Sequence, residues 1–284
     1  MRCINRLNDL RRALAGLRET GTIGLVPTMG ALHEGHLALV RQTARQADHV
    51  VVSIFVNPTQ FGANEDLDAY PRQLAEDIAL LEAEGVALLW APDVEEVYPP
   101  GFATTVSVSG VSDGFCGAVR PGHFDGVATV VCKLFNQVSP DIAVFGEKDW
   151  QQLAVIRRMA RDLDLTRPHV DNIFGLPTVR EPDGLAMSSR NRYLAPEQRT
   201  AAATLPRAMR EAIAAIEAGG PVEAALNQLR QNLHQAGFTH VDYAALADAH
   251  SLAERDSLSP GQPARLLVAA RIGGTRLIDN MPVG

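Results

Sequence analysis

The sequence predicts an α/β fold, in which a doubly wound parallel sheet is followed by a second, smaller α+β domain. In the first half, short apolar runs alternate with longer segments of helical periodicity, a pattern typical of parallel strands joined by helices. After about residue 176 the pattern changes to Ala- and Leu-rich helices and then to strand-like segments. The change predicts a boundary between two domains, residues 1–175 and residues 176–284.

The predicted strands of the first domain are apolar throughout, as strands buried on both faces are. They are Ile23–Val26, His49–Val56, Val86–Trp90 and Asp141–Phe145. Helical periodicity occupies about His36–Ala47, Leu74–Glu84, Val127–Val138 and Asp149–Leu163, and an apolar stripe that begins at Ile4 predicts a first helix at the N-terminus. The succession predicts a Rossmann-like domain, which binds ligands beyond the carboxyl ends of its strands.

The second domain begins with a stretch rich in Gly, Pro and Ser. Its predicted helices are Pro196–Ala218 and Pro221–Ala236, and its predicted strands are His240–Leu246, Arg265–Ile272 and Thr275–Asp279. Gly273-Gly274 joins the last two strands as a hairpin turn. We expect this domain to move as a lid, about a hinge near Gly175–Pro177.

Composition excludes several classes of protein. The 284 residues include 26 Lys and Arg against 33 Asp and Glu, a net charge of −7 that argues against binding to nucleic acid. No apolar run reaches the length of about 18 residues expected of a membrane span. The three cysteines are widely spaced and form no CxxC pair, and no signal peptide is evident, so we expect a cytoplasmic protein without disulfides.

The strongest local motif is PTMGALHEGH at 27–36, between the first predicted strand and the next helix. Its two histidines, His33 and His36, flank a glycine at a helix N-terminus, where free backbone N–H groups and the helix dipole favour a phosphate. Gly30 and Gly35 allow close approach of the backbone, and the imidazoles can add hydrogen bonds or charge. The alternative, a zinc site, lacks a third ligand at a motif spacing.

The HxGH pattern resembles the signature of the nucleotidylyltransferase superfamily, which binds ATP through these histidines. Four further segments follow it in order: SIFVNPTQFG at 53–62, RPGHFDGV at 120–127, GEKD at 146–149 and MSSRN at 187–191. Together, over about residues 27 to 194, they resemble the pantothenate synthetase family of pantoate–β-alanine ligases.

The resemblance implies the ATP-dependent condensation of (R)-pantoate with β-alanine through a pantoyl-adenylate, which yields pantothenate, AMP and pyrophosphate in coenzyme A biosynthesis. It also implies a homodimer. It makes His36 the proton donor to the leaving group, and it places His33, Lys148, Ser188, Ser189 and Arg190 on the ATP phosphates. The other ATP contacts that it implies are Met29, Gly30, Ala31, Leu32, Glu34, Gly35, Gly146, Glu147, Asp149, Val179 and Met187.

The resemblance assigns Gln60 and Gln152 to pantoate, and Gln60 also to β-alanine. Amide side chains suit this task because they donate and accept hydrogen bonds without adding a charge. Arg120 and His123 are further candidates for contact with carboxylate or hydroxyl groups, although an arginine in this position is as often a solvated surface residue. Asn57-Pro58 is expected to support the loop before Gln60, because the residue before a proline is held extended.

Displacement at the α-phosphorus of ATP implies Mg²⁺. The sequence does not identify the metal ligands. Glu76 and Asp77 are candidates, but acidic residues on a predicted helix more often form a solvated face.

Two other functions remain open from the residues. One is a nucleotidylyltransferase that adenylylates a small acceptor and stops there, and the other is an ATP-binding module without turnover. Lys133 and Lys148 are the two lysines among the 26 basic residues. Lys148 lies in the GEKD segment, where a compact ammonium and a guanidinium are not interchangeable, whereas Lys133 lies on a predicted helix without an assigned role.

Overall fold

The computed structural model describes residues 1–62 and 65–284. The described chain divides into two compact units, each treated by itself below. Unit 1 comprises residues 1–112, 120–147 and 152–177, and unit 2 comprises residues 113–119, 148–151 and 178–284. The second unit therefore includes two short segments that precede residue 176.

Unit 1 is built on a parallel sheet, as the apolar strand pattern predicts. In the described residues this sheet has the order β1-β4-β3-β2-β5-β6. The chain passes from β2 through β3 to β4 on one side and then returns to place β5 on the other side of β2, which makes β2 and β5 the switch point where such sheets bind ligands. The strands are β1 (Arg2–Ile4), β2 (Ile23–Thr28), β3 (His49–Ile54), β4 (Leu88–Trp90), β5 (Ile142–Gly146) and β6 (Ile173–Leu176).

The helices agree with the predicted periodicity in most places. They are α1 (Leu7–Arg18), α2 (Glu34–Ala44), α3 (Leu74–Ala83), α4 (Val94–Val97), α5 (Cys116–Val119), α6 (His123–Val138), α7 (Trp150–Asp162), α8 (Pro196–Ala202), α9 (Thr204–Glu217) and α10 (Val222–Gln235). None of the helices in residues 1–62 and 65–284 combines the length and the apolar character that a membrane span requires.

The helix α2 packs closely on β2 in the core of unit 1. A Cβ atom at Gly24 would lie 2.3 Å from Cγ2 of Thr43, so a glycine is needed for the helix to approach the strand this closely. Val26, Val52 and Val144 of the three neighbouring strands are fully buried in the same core. This packing fixes the point at which the chain leaves β2 and enters α2.

Two predicted elements differ in the structure. Ile4, which was expected on the first helix, lies in the short strand β1, which pairs with β4. The predicted helix over 196–218 is interrupted at Ala203, because Pro206 lacks an N–H and is tolerated only in the first turn of a new helix. Gly175, at the start of the predicted hinge, pairs with Phe145 as part of β6, and the hinge itself stays a prediction.

Unit 2 contains an antiparallel sheet of β7 (His240–Asp248), β8 (Ala264–Ile272) and β9 (Thr275–Val283), in that order. Gly273 and Gly274 form the predicted hairpin turn, and both have positive φ angles, 55° and 81°. The apolar faces of α9 and α10 share a core with the sheet, which includes Met209, Leu229 and Leu266. The smaller α+β arrangement expected from the sequence is confirmed.

Candidate active site

The HxGH loop connects the end of β2 to the start of α2. His33 caps the helix: its Nδ1 accepts a hydrogen bond from the backbone N–H of Gly35 at 3.1 Å, and its own N–H donates to Nδ1 of His36 at 3.3 Å. The two ring centroids are 4.1 Å apart. Since both Nδ1 atoms accept, the neutral rings carry their protons on Nε2, the tautomer that can donate to a phosphate oxygen.

The backbone N–H groups at the start of the loop are bonded within unit 1. The N–H of Gly30 donates to Oγ1 of Thr28 at 3.2 Å. The N–H groups of Ala31 and Leu32 donate to the two carboxylate oxygens of Asp77, at 2.9 and 2.8 Å. These N–H groups precede the N-terminus of α2 and hold the loop itself, so a phosphate at that helix N-terminus stays a prediction.

Asp77 lies on α3 and is 1% exposed, whereas its neighbour Glu76 is exposed. Gln73 donates from Nε2 to Oδ1 of Asp77 at 3.2 Å, so the carboxylate accepts three hydrogen bonds in all from described residues. Asp77 is therefore not part of a solvated face. No cluster of three or more His, Cys, Asp or Glu side chains that could hold a metal occurs in the described part of the chain.

Asn57 supports Gln60, as the sequence predicts. It caps the 3-10 turn Pro58–Gln60, and its Oδ1 accepts from Oγ1 of Thr59 at 2.9 Å and from Oη of Tyr98 at 2.8 Å. Its Nδ2 donates to Oε1 of Gln60 at 3.0 Å. Because Oε1 accepts this bond, the amide nitrogen of Gln60 points the other way, where it contacts Sδ of Met29 at 3.1 Å.

Arg120 and His123 hold the main chain of Gln60. Nδ1 of His123 and Nη2 of Arg120 lie 2.9 and 3.3 Å from the carbonyl oxygen of Gln60. Arg120 also forms a two-pronged ion pair with Glu65, and its side chain is 16% exposed, so it is not a solvated surface arginine. Burial raises the pKa of Glu65, but the hydrogen bonds and charge of Arg120 outweigh it and hold that pKa below its usual value.

The end of β5 and the start of α7 supply the remaining site candidates of unit 1. Gly146 ends β5, Glu147 follows it, and Gln152 lies half-buried on the first turn of α7. Both Gly146 and Gln152 are accessible in part. The structure thus places Gly146 on the strand beside the one that leads into the HxGH loop, which is the predicted switch point.

In unit 2, Lys148 lies on a 3-10 turn with its Nζ 3.7 Å from Oδ2 of Asp149. The Lys148 carbonyl oxygen accepts a hydrogen bond from Nδ2 of Asn280 at 2.9 Å. The main chain at this lysine is thus held by β9, while the ammonium extends from the turn on a side chain that is 21% exposed.

The other candidates of unit 2 lie on one hairpin. Val179 and Met187 are paired across it, with the Met187 N–H donating to the Val179 carbonyl at 3.0 Å. Ser188 caps the 3-10 turn Ser189–Tyr193 and accepts from the N–H of Arg190 at 3.2 Å. The sequence-predicted adenosine and phosphate residues of this segment are therefore brought together on one short element.

Arg180 anchors this hairpin to β9, a connection that the sequence did not reveal. Its guanidinium donates to both carboxylate oxygens of Asp279, at 2.7 and 2.9 Å, and to the Gly184 carbonyl at 3.0 Å. The side chain of Asp279 is fully buried. The available signal was the polar pair Asp279-Asn280 between the apolar residues Ile278 and Met281, but it carries no motif.

Comparison with known proteins identifies the family. A family model described as pantoate-beta-alanine ligase matches residues 2–282. The chain belongs to the pantoate–β-alanine ligase family. The resemblance inferred from the HxGH, SIFVNPTQFG, GEKD and MSSRN segments is thereby confirmed, and the family match extends through the C-terminal residues that carry no motif.

Relatives in this family are similar over their whole lengths. The pantothenate synthetase of Novosphingobium aromaticivorans is 69% identical over 285 residues, which cover 100% of this chain and 99% of that protein. The crystal structure of pantothenate synthetase from Thermus thermophilus matches with a TM-score of 0.92 at 49% identity, over 99% of each chain. The ligase from Francisella tularensis, complexed with β-γ ATP and β-alanine, matches with a TM-score of 0.83 at 32% identity, over 99% of this chain and 97% of that one.

Proposed function

We propose that the protein is an ATP-dependent ligase that joins (R)-pantoate to β-alanine by an amide bond. The observation that carries the proposal is the family match over residues 2–282. The site chemistry supports it, because the paired histidines of the HxGH loop stand at a helix N-terminus beyond the carboxyl end of β2, where a parallel sheet of this order binds its ligands.

The first half-reaction forms pantoyl-adenylate. A carboxylate oxygen of pantoate attacks the α-phosphorus of ATP, and the bond from that phosphorus to the bridging oxygen breaks, so that pyrophosphate leaves. Negative charge grows on the phosphate oxygens, which the Nε2–H groups of His33 and His36 and the dipole of α2 stabilise. His36 donates a proton to the leaving pyrophosphate, and Lys148, Ser188, Ser189 and Arg190 bind the phosphates.

The second half-reaction forms the amide. The uncharged amino group of β-alanine attacks the acyl carbon of the adenylate, the bond from that carbon to the AMP oxygen breaks, and the nitrogen loses a proton. Gln60 and Gln152 bind pantoate through hydrogen bonds that add no charge. Gln60 is presented in a fixed orientation by Asn57, and we assign to Arg120 and His123 the support of its main chain.

Mg²⁺ enters this scheme with ATP. Mg²⁺ is commonly bound through substrate phosphates and water, with few protein ligands. This agrees with the described residues, in which no protein cluster for a metal occurs. We therefore treat the metal as part of the substrate and assign no residue to it.

We further propose that the chain acts as a homodimer in the cytoplasm. The family resemblance implies the dimer, and light scattering should give twice the mass of the chain. The three cysteines are free thiols, which suits a reducing compartment.

A product assay tests the ligase function. Purified protein with ATP, Mg²⁺, pantoate and β-alanine should form pantothenate and AMP in equal amounts. Without β-alanine, labelled pyrophosphate should exchange into ATP only when pantoate is present. A plain nucleotidylyltransferase would instead accumulate an adenylylated acceptor with both substrates present, and an ATP-binding module would show no exchange.

A further inference from the structure

We propose that Asp77 is a positioning residue for adenylate formation, because its buried carboxylate sets the conformation of the HxGH loop. The proposal rests on the proposed function, since it concerns the first half-reaction of that ligase. It assigns to Asp77 a role that the motif itself does not contain, as Asp77 lies on α3, more than forty residues beyond the loop.

The contact is specific to the carboxylate geometry. Oδ2 of Asp77 accepts from Ala31 and Oδ1 accepts from Leu32, so the two oxygens bind consecutive N–H groups of the loop. Asp77, Ala31 and Leu32 are all 2% exposed or less. If an amide nitrogen replaces one of these oxygens, the N–H group that it served loses this acceptor, and a buried N–H group without a partner costs the free energy of its lost hydration.

The loop needs this support because its backbone is strained. Gly30 and Ala31 have φ angles of 82° and 51°, in the left-handed region that a residue with a Cβ rarely adopts. The loop also lies close to the carboxylate, since a Cβ atom at Gly30 would be 3.0 Å from Oδ2 of Asp77. The carboxylate therefore acts at the point where the chain turns between β2 and α2.

The turn determines where the catalytic imidazoles lie. His33 follows Leu32 directly, and its backbone N–H holds the ring of His36 through Nδ1. A shift of the Ala31–Leu32 peptide thus moves both rings relative to the phosphates. A misplacement of about 1 Å can lower the rate of a positioned reaction on the order of 100-fold.

The alternative role for Asp77 is that of a Mg²⁺ ligand. Its two oxygens already accept two backbone N–H groups and the amide of Gln73, and no cluster with two further acidic, Cys or His side chains surrounds it among the described residues. The donor set therefore does not fit a metal site. The two roles also predict different results in a variant of Asp77: raised Mg²⁺ restores the exchange if Asp77 is a metal ligand and leaves it unchanged if Asp77 positions the loop.

The test compares Asp77→Asn with Asp77→Glu and with Glu82→Gln, which removes an exposed carboxylate from the same helix. Asparagine keeps the size but replaces one acceptor with a donor that faces a backbone N–H. We expect pantoate-dependent exchange of pyrophosphate into ATP to fall on the order of 100-fold in Asp77→Asn. Asp77→Glu, which keeps both acceptors, should recover part of the exchange, and Glu82→Gln should match the wild type.

The second half-reaction, measured with supplied pantoyl-adenylate and β-alanine, serves as the internal control. It should fall far less than the exchange in Asp77→Asn, because no pyrophosphate leaves in this step. Equal losses in both half-reactions would show a merely structural role, and exchange at the wild-type rate would also overturn the proposal. Restoration of exchange by raised Mg²⁺ would identify a metal ligand instead. Absence of exchange in the wild type would overturn the proposed function itself.

Discussion

Lys133 and Lys148 carry the same ammonium group but lie in different surroundings. Nζ of Lys133 lies 4.6 Å from the ring centroid of Phe102 and 5.9 Å from that of Tyr98, so its charge rests on two aromatic rings of unit 1. Lys148 follows β5 on a turn whose main chain Asn280 holds. The ammonium of Lys148, on a fixed turn, is suited to contact phosphate oxygens, whereas the ammonium of Lys133 already contacts two aromatic rings.

We expect Lys148→Ala to slow adenylate formation 10²–10³-fold, since one preorganised charge-stabilising group contributes about 2.7–4 kcal/mol to the barrier. Single-turnover kinetics with ATP and pantoate measures this step. The control is Lys133→Ala, which removes the same charge from the cation–π site and should stay close to the wild type. A Lys148→Ala rate near that of the wild type would exclude this lysine from the site.

Whether a side-chain contact could be predicted from the sequence depends on how many residues separate its two partners along the chain. The support of Gln60 by Asn57 was predictable, because the two residues are three apart and a proline follows Asn57. The contact of Asp77 with Ala31 was not, because 46 residues separate them and no spacing rule links a helix carboxylate to a loop N–H. The role of Asp279 as the partner of Arg180 was hidden for the same reason.

At the level of elements, α6 and the 3-10 turn Pro58–Gln60 approach each other through a glycine. A Cβ atom at Gly126 would lie 2.4 Å from the Thr59 carbonyl oxygen and 2.7 Å from Cα of Gln60. Nδ2 of Asn57 also donates to the Gly126 carbonyl at 3.1 Å. The position of the pantoate candidate Gln60 therefore depends on the absence of a side chain on the neighbouring helix.

We expect Gly126→Ala to raise the KM for pantoate and to lower the free energy of unfolding by about 1–3 kcal/mol, the usual effect of overpacking. Steady-state kinetics and denaturant unfolding measure the two effects. Gly16→Ala is the matched control, because a Cβ at Gly16 on α1 meets nothing within 4 Å. That variant should gain roughly 0.5–1 kcal/mol, as an alanine does in a helix interior. An unchanged pantoate KM in Gly126→Ala would argue against the assignment of Gln60.

The turn after β7 gives a prediction for pH. The backbone N–H groups of Ser251 and His250 donate to Asp248 at 2.7 and 3.0 Å, and with the charge of Arg255 they lower the pKa of Asp248 to about 2. The unfolded chain binds this proton at a higher pH, near 3.9, so the stabilisation is complete above that pH and is lost as pH falls toward 2. The free energy of unfolding, measured with urea, should differ between the wild type and Asp248→Asn by an amount that decreases as the pH falls through this range. A difference that stays constant over this pH range would contradict the lowered pKa of Asp248.

The elements themselves were predictable where they are long and periodic. The four central strands of unit 1 and most helices follow from apolar runs and helical spacing. The edge strands β1 and β6 were missed because neither forms an apolar run of its own. Ile4 of β1 continues the apolar stripe of the first helix, and Gly175 interrupts β6. The order of the strands also required the structure, because the sequence states only their succession along the chain.

For the whole molecule, the resemblance assigns ATP contacts to residues of both units, such as His36 in unit 1 and Lys148 in unit 2. Each unit carries one of the two tryptophans. Trp90 is fully buried in unit 1 and donates to Oε1 of Gln137 at 3.0 Å. Trp150 of unit 2 donates to the Ala249 carbonyl at 2.9 Å and has the guanidinium of Arg265 at 3.5 Å from its ring centroid. Fluorescence can therefore follow the unfolding of each unit separately.

We expect ATP to stabilise both units, because a ligand that contacts a folded unit and not the unfolded chain raises its free energy of unfolding, by about 2.7 kcal/mol at 100 times Kd. Trp90→Phe leaves the reporter of unit 2, and Trp150→Phe leaves the reporter of unit 1. Both midpoints of urea unfolding should rise with ATP. If ATP raises only the midpoint reported by Trp90, then Lys148, Ser188 and Arg190 of unit 2 do not bind ATP. If the two fluorescence signals change at the same urea concentration without ATP, the units unfold as one. The test is then Arg190→Ala, which should reduce the ATP-dependent rise in the urea midpoint if this residue of unit 2 binds ATP.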